Sequence, residues 1–220
     1  MVVVIGGGRA GSHHARQLLK AVRSARLPGE SLLIVDRSPA CPAATEFRDD
    51  AEVSFAWSDW SDFLLSWLGA APPSDHLVPA PLAPHLLWEW LAAELGAEPA
   101  EPPRAWGLPY EQPGPGRELF LSAAAWLCPE TCVEPGHCPV LHAPRDWDLG
   151  DLIEQRAGGL GYRAAVFRCL HLAGGIAGIR VGEVQAARAR LAAWAGERVL
   201  VATSSRCHAA LGALTVRAVG

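Results

Sequence analysis

Two groups of residues have the types and spacing to do chemistry. The first lies at the start of the chain, where Val2-Val3-Val4-Ile5 runs straight into Gly6-Gly7-Gly8-Arg9-Ala10-Gly11. Glycines at 6, 8 and 11 give the pattern G-x-G-x-x-G. Gly6 permits a tight turn out of a strand, Gly8 lets the backbone approach a pyrophosphate, and Gly11 lets the next helix lie close to the sheet. Arg9 and Ala10 open that helix, and its N-terminus faces the phosphates. Asp36 follows a second apolar run, Leu32-Leu33-Ile34-Val35. At the tip of a second strand its carboxylate accepts bonds from ribose hydroxyls. A carboxylate there repels a 2′-phosphate and so favours NAD, whereas Arg37 beside it is the cation that would admit NADP.

The second group is Cys128-Pro129-Glu130-Thr131-Cys132-Val133-Glu134-Pro135-Gly136-His137-Cys138-Pro139. Three thiols in a proline-stiffened loop can converge on one zinc ion or iron–sulfur cluster, so Cys128, Cys132 and Cys138 are candidate ligands. A fourth ligand is required, and His137, His142, Cys169, Cys207 and His208 are the candidates. Cysteines are also common as small buried hydrophobes. A redox pair of Cys128 with Cys132 or Cys138 is a third reading, although C-x-x-C is absent. Arg145-Asp146-Trp147-Asp148, just past the cysteines, reads as the edge of a site, while Asp148 also suits a helix start.

Alternating apolar runs and helical periodicities must position these groups. After the glycines, Ala10, His14, Leu18, Leu19 and Val22 recur at helical spacing, and Pro28-Gly29 ends the helix. Val53 to Trp57 is a third strand, Asp59 caps a following helix, and His76 to Pro79 is a short fourth strand. Leu86 to Leu95 is a further helix. Strands separated by helices imply a parallel sheet covered on both faces. His13 or His14 can approach the phosphates, and His85, after the fourth strand, can act as an acid or base.

Residues 99–117 are rich in proline and glycine and read as a linker or long loop. That division gives residues 1–98 as a nucleotide-binding domain. Residues 118–220 form a smaller C-terminal part that carries the cysteine loop and can complete the sheet. Within it, 118–123, 163–170, 199–202 and 214–216 read as strands, with helices over 148–157 and 183–195. Gly174 to Gly178 lacks the full phosphate fingerprint and reads as a tight strand or turn.

On Gly6, Gly8, Gly11 and Asp36, residues 1–95 resemble the NAD(P)-binding Rossmann superfamily. The likeness is to small modules that bind NAD as a regulatory ligand in bacterial potassium-transport proteins, and to N-terminal domains of NAD-dependent dehydrogenases. It implies an α/β Rossmann-like fold and NAD as ligand. S-adenosylmethionine enzymes share the glycine loop and the acidic residue.

The chain has 220 residues, half of them hydrophobic, and a net charge of −4. Its basic charge is almost all arginine, without a basic block, which argues against a nucleic-acid partner. No apolar stretch is long enough for a membrane span. With no secretory leader before the first strand, a cytoplasmic location is expected. The expected function is NAD binding with a redox role, the cysteine loop supplying a metal or iron–sulfur site. One alternative is a non-catalytic NAD sensor read by a protein partner or a second copy of the chain. The other is an S-adenosylmethionine-dependent transferase.

Overall fold

Four consecutive β-branched residues suit a strand buried on both faces, and all four of Val2–Ile5 are buried. A computed structural model describes residues 1–27, 31–79, 85–129 and 131–217. In chain order the elements begin with β1 (Val2–Ile5), α1 (Arg9–Arg23), β2 (Leu32–Asp36), α2 (Pro42–Phe47), β3 (Val53–Trp57), α3 (Trp60–Trp67) and β4 (His76–Val78). There follow α4 (Leu86–Glu94), β5 (Glu98–Ala100), β6 (Tyr110–Pro113), β7 (Leu119–Ser122), β8 (His137–Cys138), β9 (Ala143–Pro144) and α5 (Leu149–Ala157). The chain closes with β10 (Arg163–Arg168), β11 (Leu170–Ala173), β12 (Ile176–Arg180), α6 (Val181–Ala192), β13 (Arg198–Ser204) and β14 (His208–Thr215). Pro28-Gly29, expected to end α1, lies outside the described residues.

The chain divides into two compact units, one of residues 1–86 with 170–185 and one of residues 87–169 with 186–220. The first unit holds a sheet in the order β11-β12-β4-β1-β2-β3. β1 runs parallel to β2 and to β4, and β2 runs parallel to β3. Alternate residues of β1 serve opposite faces: Val2 and Val4 join Ala15, Leu18, Leu19, Ala43 and Phe47 in one core cluster with α1 and α2. The sheet expected to be parallel throughout is mixed, because β12 is antiparallel to β4 and β11 to β12. The cause is local. Ala173 faces Ile176 across the hairpin, leaving Gly174-Gly175 as a two-residue turn with φ of 53° and 81°. Two adjacent positive φ values suit the primed turn that joins antiparallel strands.

The second unit has a sheet in the order β10-β13-β14-β7-β6, with β5 also paired to β14. Its core joins Leu119 and Leu121 of β7, Leu200 and Ala202 of β13, and Leu211 and Ala213 of β14. Leu149, Ile153 and Ala157 of α5 complete it. Asp148 caps α5, accepting the Asp151 N–H.

The span 99–117, expected as a linker, contributes instead to this sheet through the end of β5 and through β6. Its Trp106 is buried, and the indole donates to the Pro103 carbonyl at 2.8 Å. Prolines are admitted there because β5 and β6 pair along one side only, so a missing N–H breaks no ladder. The helix α4, expected in the nucleotide-binding half, falls almost wholly in the second unit. Its Trp88 donates to the Ala213 carbonyl at 2.9 Å and lies where a side chain on Gly212 would have to go. The C-terminal half therefore gives β11, β12 and the first residues of α6 to the first unit and builds a sheet of its own. Among the described residues no helix is long and apolar enough to cross a membrane.

A Cβ on Gly11 would stand 1.7 Å from the Gly6 carbonyl oxygen, whereas one on Gly8 would meet nothing within 4 Å. Gly11→Ala should therefore cost about 1–3 kcal/mol, the range for forced overpacking. Gly8→Ala, in extended backbone, should cost less than about 1 kcal/mol. Thermal melts of the two variants check this: equal midpoints would contradict the close approach.

Candidate functional site

The turn between β1 and α1 is built from backbone. The Gly6 N–H donates to the Val35 carbonyl at 2.8 Å, continuing the pairing to β2. The chain then leaves the sheet through φ of 93° at Gly6. Gly7 is packed closely: its carbonyl accepts the Ala43 N–H at 2.9 Å, and a Cβ would meet the Cys41 sulfur at 2.4 Å. Gly8 precedes α1 in extended geometry, with no side-chain cap and no acidic residue in the first turn. The first intrahelical bond is from the Ser12 N–H to the Gly8 carbonyl at 2.9 Å. The N–H groups of Arg9, Ala10 and Gly11 thus precede the helical ladder and point out of the positive end of a 15-residue helix. Arg9 and Gly8 are exposed, so this end opens to solvent.

Asp36 locks the turn in place. One carboxylate oxygen accepts the Gly7 N–H at 2.7 Å and the other accepts the Ser38 N–H at 2.8 Å. A carboxylate has about four acceptor positions, so hydroxyl donors can still be received. The exposed Arg37 lies 3.6 Å from the Asp59 carboxylate. Burial, and then the neighbouring His13, lowers the pKa of His14 below its usual range. A neutral His14 brings no positive charge to the turn at neutral pH. Pro81–Pro84, just before His85, lie outside the described residues, as does Glu130.

The cysteine loop belongs to the second unit. β8 and β9 pair as a short hairpin with Cys138 opposite Ala143, and Cys138 is buried. Backbone N–H groups of Leu141 and then Val140, with the Arg145 guanidinium, hold the Cys138 thiol below its ordinary pKa against the effect of burial. The Glu134 N–H donates to the Cys132 sulfur at 3.4 Å. Cys128 is raised first by burial and then by Cys132, with Cys138 and Glu134 adding to the rise and the Trp126 indole opposing it.

Glu134 ties this loop to the turn between β13 and β14. Its carboxylate accepts the Ser205 hydroxyl at 2.7 Å, the Arg206 N–H at 2.7 Å and the Cys207 N–H at 3.3 Å. Cys207 is buried and its sulfur accepts the Trp147 indole N–H at 3.3 Å. Burial raises this thiol; Trp147 and Arg145 lower it, while Glu134 and Cys128 raise it.

Arg145 completes the cluster. Its backbone N–H donates to the Gly136 carbonyl at 2.8 Å and its Nη1 donates to the Pro135 carbonyl. The guanidinium stands 5.7 Å from the centre of the Trp147 ring. Arg145 is nevertheless buried, and its Nε and Nη2 have no hydrogen-bond partner among the described residues. Cys207, Glu134, Cys138 and Cys132, in that order, favour its charge against burial.

Of the candidate fourth ligands, Cys207 is tied to the cysteine loop through its N–H, which donates to the Glu134 carboxylate. His137 and His142 are exposed. Among the described residues no three His, Cys, Asp or Glu side chains are gathered closely enough, as they stand, to hold a metal ion. The site edge read at Arg145 and Trp147 adjoins the cysteines. Glu134 gave no signal in the sequence beyond lying between Cys132 and Cys138. A shallow pocket lined by Leu108, Ala123, Asp146, Trp147 and Leu149 opens beside the cluster.

Residues 83–217 match the family model AF_1314_C, described as the C-terminal domain of an uncharacterized protein. No curated protein and no solved structure matches the chain.

Cys169 gives a direct check on the electrostatics. Burial, with the Glu134 carboxylate second, pushes its thiol up to about 12. At pH 8 only about one molecule in ten thousand would carry the Cys169 thiolate, the reactive form. Brief iodoacetamide treatment at pH 8 should leave Cys169 unmodified by mass spectrometry, with labelling appearing only on unfolding. Rapid native labelling would show that the thiol is not buried in this way.

Proposed function

The chain belongs to that family, whose description states no activity, and we propose on the geometry of the first unit that it binds NAD at the Gly6–Gly11 turn. The observation that carries this reading is the contrast between two glycines. Gly11 is glycine because the protein itself occupies the space beside it. Gly8 has open space, in front of helical N–H groups that no side chain caps. A diphosphate suits that place, since its charge complements the helix end and its oxygens can reach the free donors. The parallel β2-β1-β4 core with α1 between β1 and β2 supports a Rossmann-type arrangement.

Asp36 sets the cofactor choice in this reading. It is held against the turn by two backbone donors, so its remaining acceptor positions suit ribose hydroxyls. Arg37 is drawn toward Asp59, which supports NAD over NADP. A redox role follows only if the chain also carries electrons, and the non-catalytic sensor is the reading without such a group.

Calorimetry with NAD, NADH, NADP and S-adenosylmethionine tests this. Wild-type protein should bind NAD or NADH in preference to NADP. Gly8→Val, whose extended backbone tolerates the side chain, should keep the fold and lose at least about tenfold in affinity, more than 1.4 kcal/mol. Arg37→Ala should leave the preference for NAD intact. Indifference to all three nicotinamide nucleotides would overturn the reading, and binding of S-adenosylmethionine alone would favour the transferase.

A further inference from the structure

The second unit presents a different problem, independent of any nucleotide. A guanidinium is ionised at all ordinary pH values, and taking it out of water without a partner is costly. Arg145 is buried, and two of its three guanidinium nitrogens, Nε and Nη2, find no acceptor among the described residues. Its Nη1 is used on the Pro135 carbonyl, a neutral group. Glu134, the nearby carboxylate, is engaged with Ser205 and the backbone N–H groups of Arg206 and Cys207. The Trp147 ring that the guanidinium faces donates its indole N–H to the Cys207 sulfur, so a group able to carry negative charge as a thiolate lies close by.

Two of the cysteine sulfurs already face a donor. Cys132 takes the Glu134 N–H and Cys207 takes the Trp147 indole. Cys138 is buried on the β8–β9 hairpin, which the Arg145 N–H closes through the Gly136 carbonyl. Trp126, two residues before Cys128, packs edge-on to Trp147, and its buried indole nitrogen has no partner among the described residues. Neutral thiols are weak acceptors and do not call for such a set, whereas thiolates bound to a metal are stabilised by it.

We propose that Cys128, Cys132, Cys138 and Cys207 are the four thiolate ligands of a single metal centre, with the buried Arg145 guanidinium as its counter-charge. Binding releases one proton from each thiol and leaves a dianionic tetrathiolate, whether the occupant is a zinc ion or a doubly charged four-iron cluster. Arg145 and the surrounding N–H donors offset that charge. Among the described residues the four sulfurs do not meet at one point as they stand, so binding draws them together by side-chain rotation. The Glu134 clasp fixes the approach of the two segments, which makes it a positioning residue.

Elemental analysis and the visible spectrum of protein purified without oxygen test the proposal. The expected result is about one zinc per chain and no colour, or about four irons with sulfide and a brown absorbance. Cys207→Ser should lose the metal and Cys169→Ser should keep it. Should Cys207→Ser fail to fold, wild-type protein answers the question. N-ethylmaleimide should reach Cys128, Cys132, Cys138 and Cys207 together, and only after a chelator is added. The proposal is overturned by three results. The first is protein that holds no metal and takes up none from zinc alone or from ferrous iron with sulfide. The second is metal retained by Cys207→Ser, and the third is labelling that a chelator does not change.

Discussion

The first unit depends on a contact that leaves room for a hydrogen atom and nothing larger. The Gly6 carbonyl occupies the place that a side chain on Gly11 would need. Because it does, α1 can start directly over the end of β1 and lie against the sheet along Ala15, Leu18 and Leu19. That placement aims the helix N-terminus at the mouth of the turn. Asp36 then holds the mouth in shape by taking the Gly7 and Ser38 N–H groups. Packing constraint, helix electrostatics and carboxylate position are therefore one arrangement, and the proposed nucleotide site is what that arrangement leaves open.

In the second unit the organising element is charge. Glu134 joins the cysteine loop to the turn after β13, and Arg145 brings a buried cation beside the same sulfurs. A buried cation and a ring of N–H donors are tolerable only around something negative. The apolar core of this unit, from Trp106 to Ala213, supplies the rigid sheet on which both segments are carried.

What could be read from the sequence was local. The strand, the glycine turn, the helix and Asp36 are close along the chain, and each glycine has its own backbone reason. The caps at Asp59 and Asp148 were legible for the same reason. Three cysteines drew attention by spacing alone. Cys207 was one candidate among five, because what selects it is the Glu134 clasp, a contact across a long stretch of chain. Gly174 to Gly178 read as a tight strand or turn, but neither says which strand a hairpin there will join. The prolines of 99–117 suggested a linker because proline marks edge strands and loops alike. Trp57, the last residue of β3, is 48% exposed and stacks on Phe55. Strand alternation alone did not reveal that the sheet stops at β3.

The central claim is that the open turn, and not some other surface of the first unit, receives the nucleotide. Hydrogen exchange with and without NAD reads the backbone N–H groups themselves. The account predicts slower exchange confined to residues 6–12 and 36–38. Unchanged exchange there at saturating NAD, or protection centred elsewhere, would contradict it.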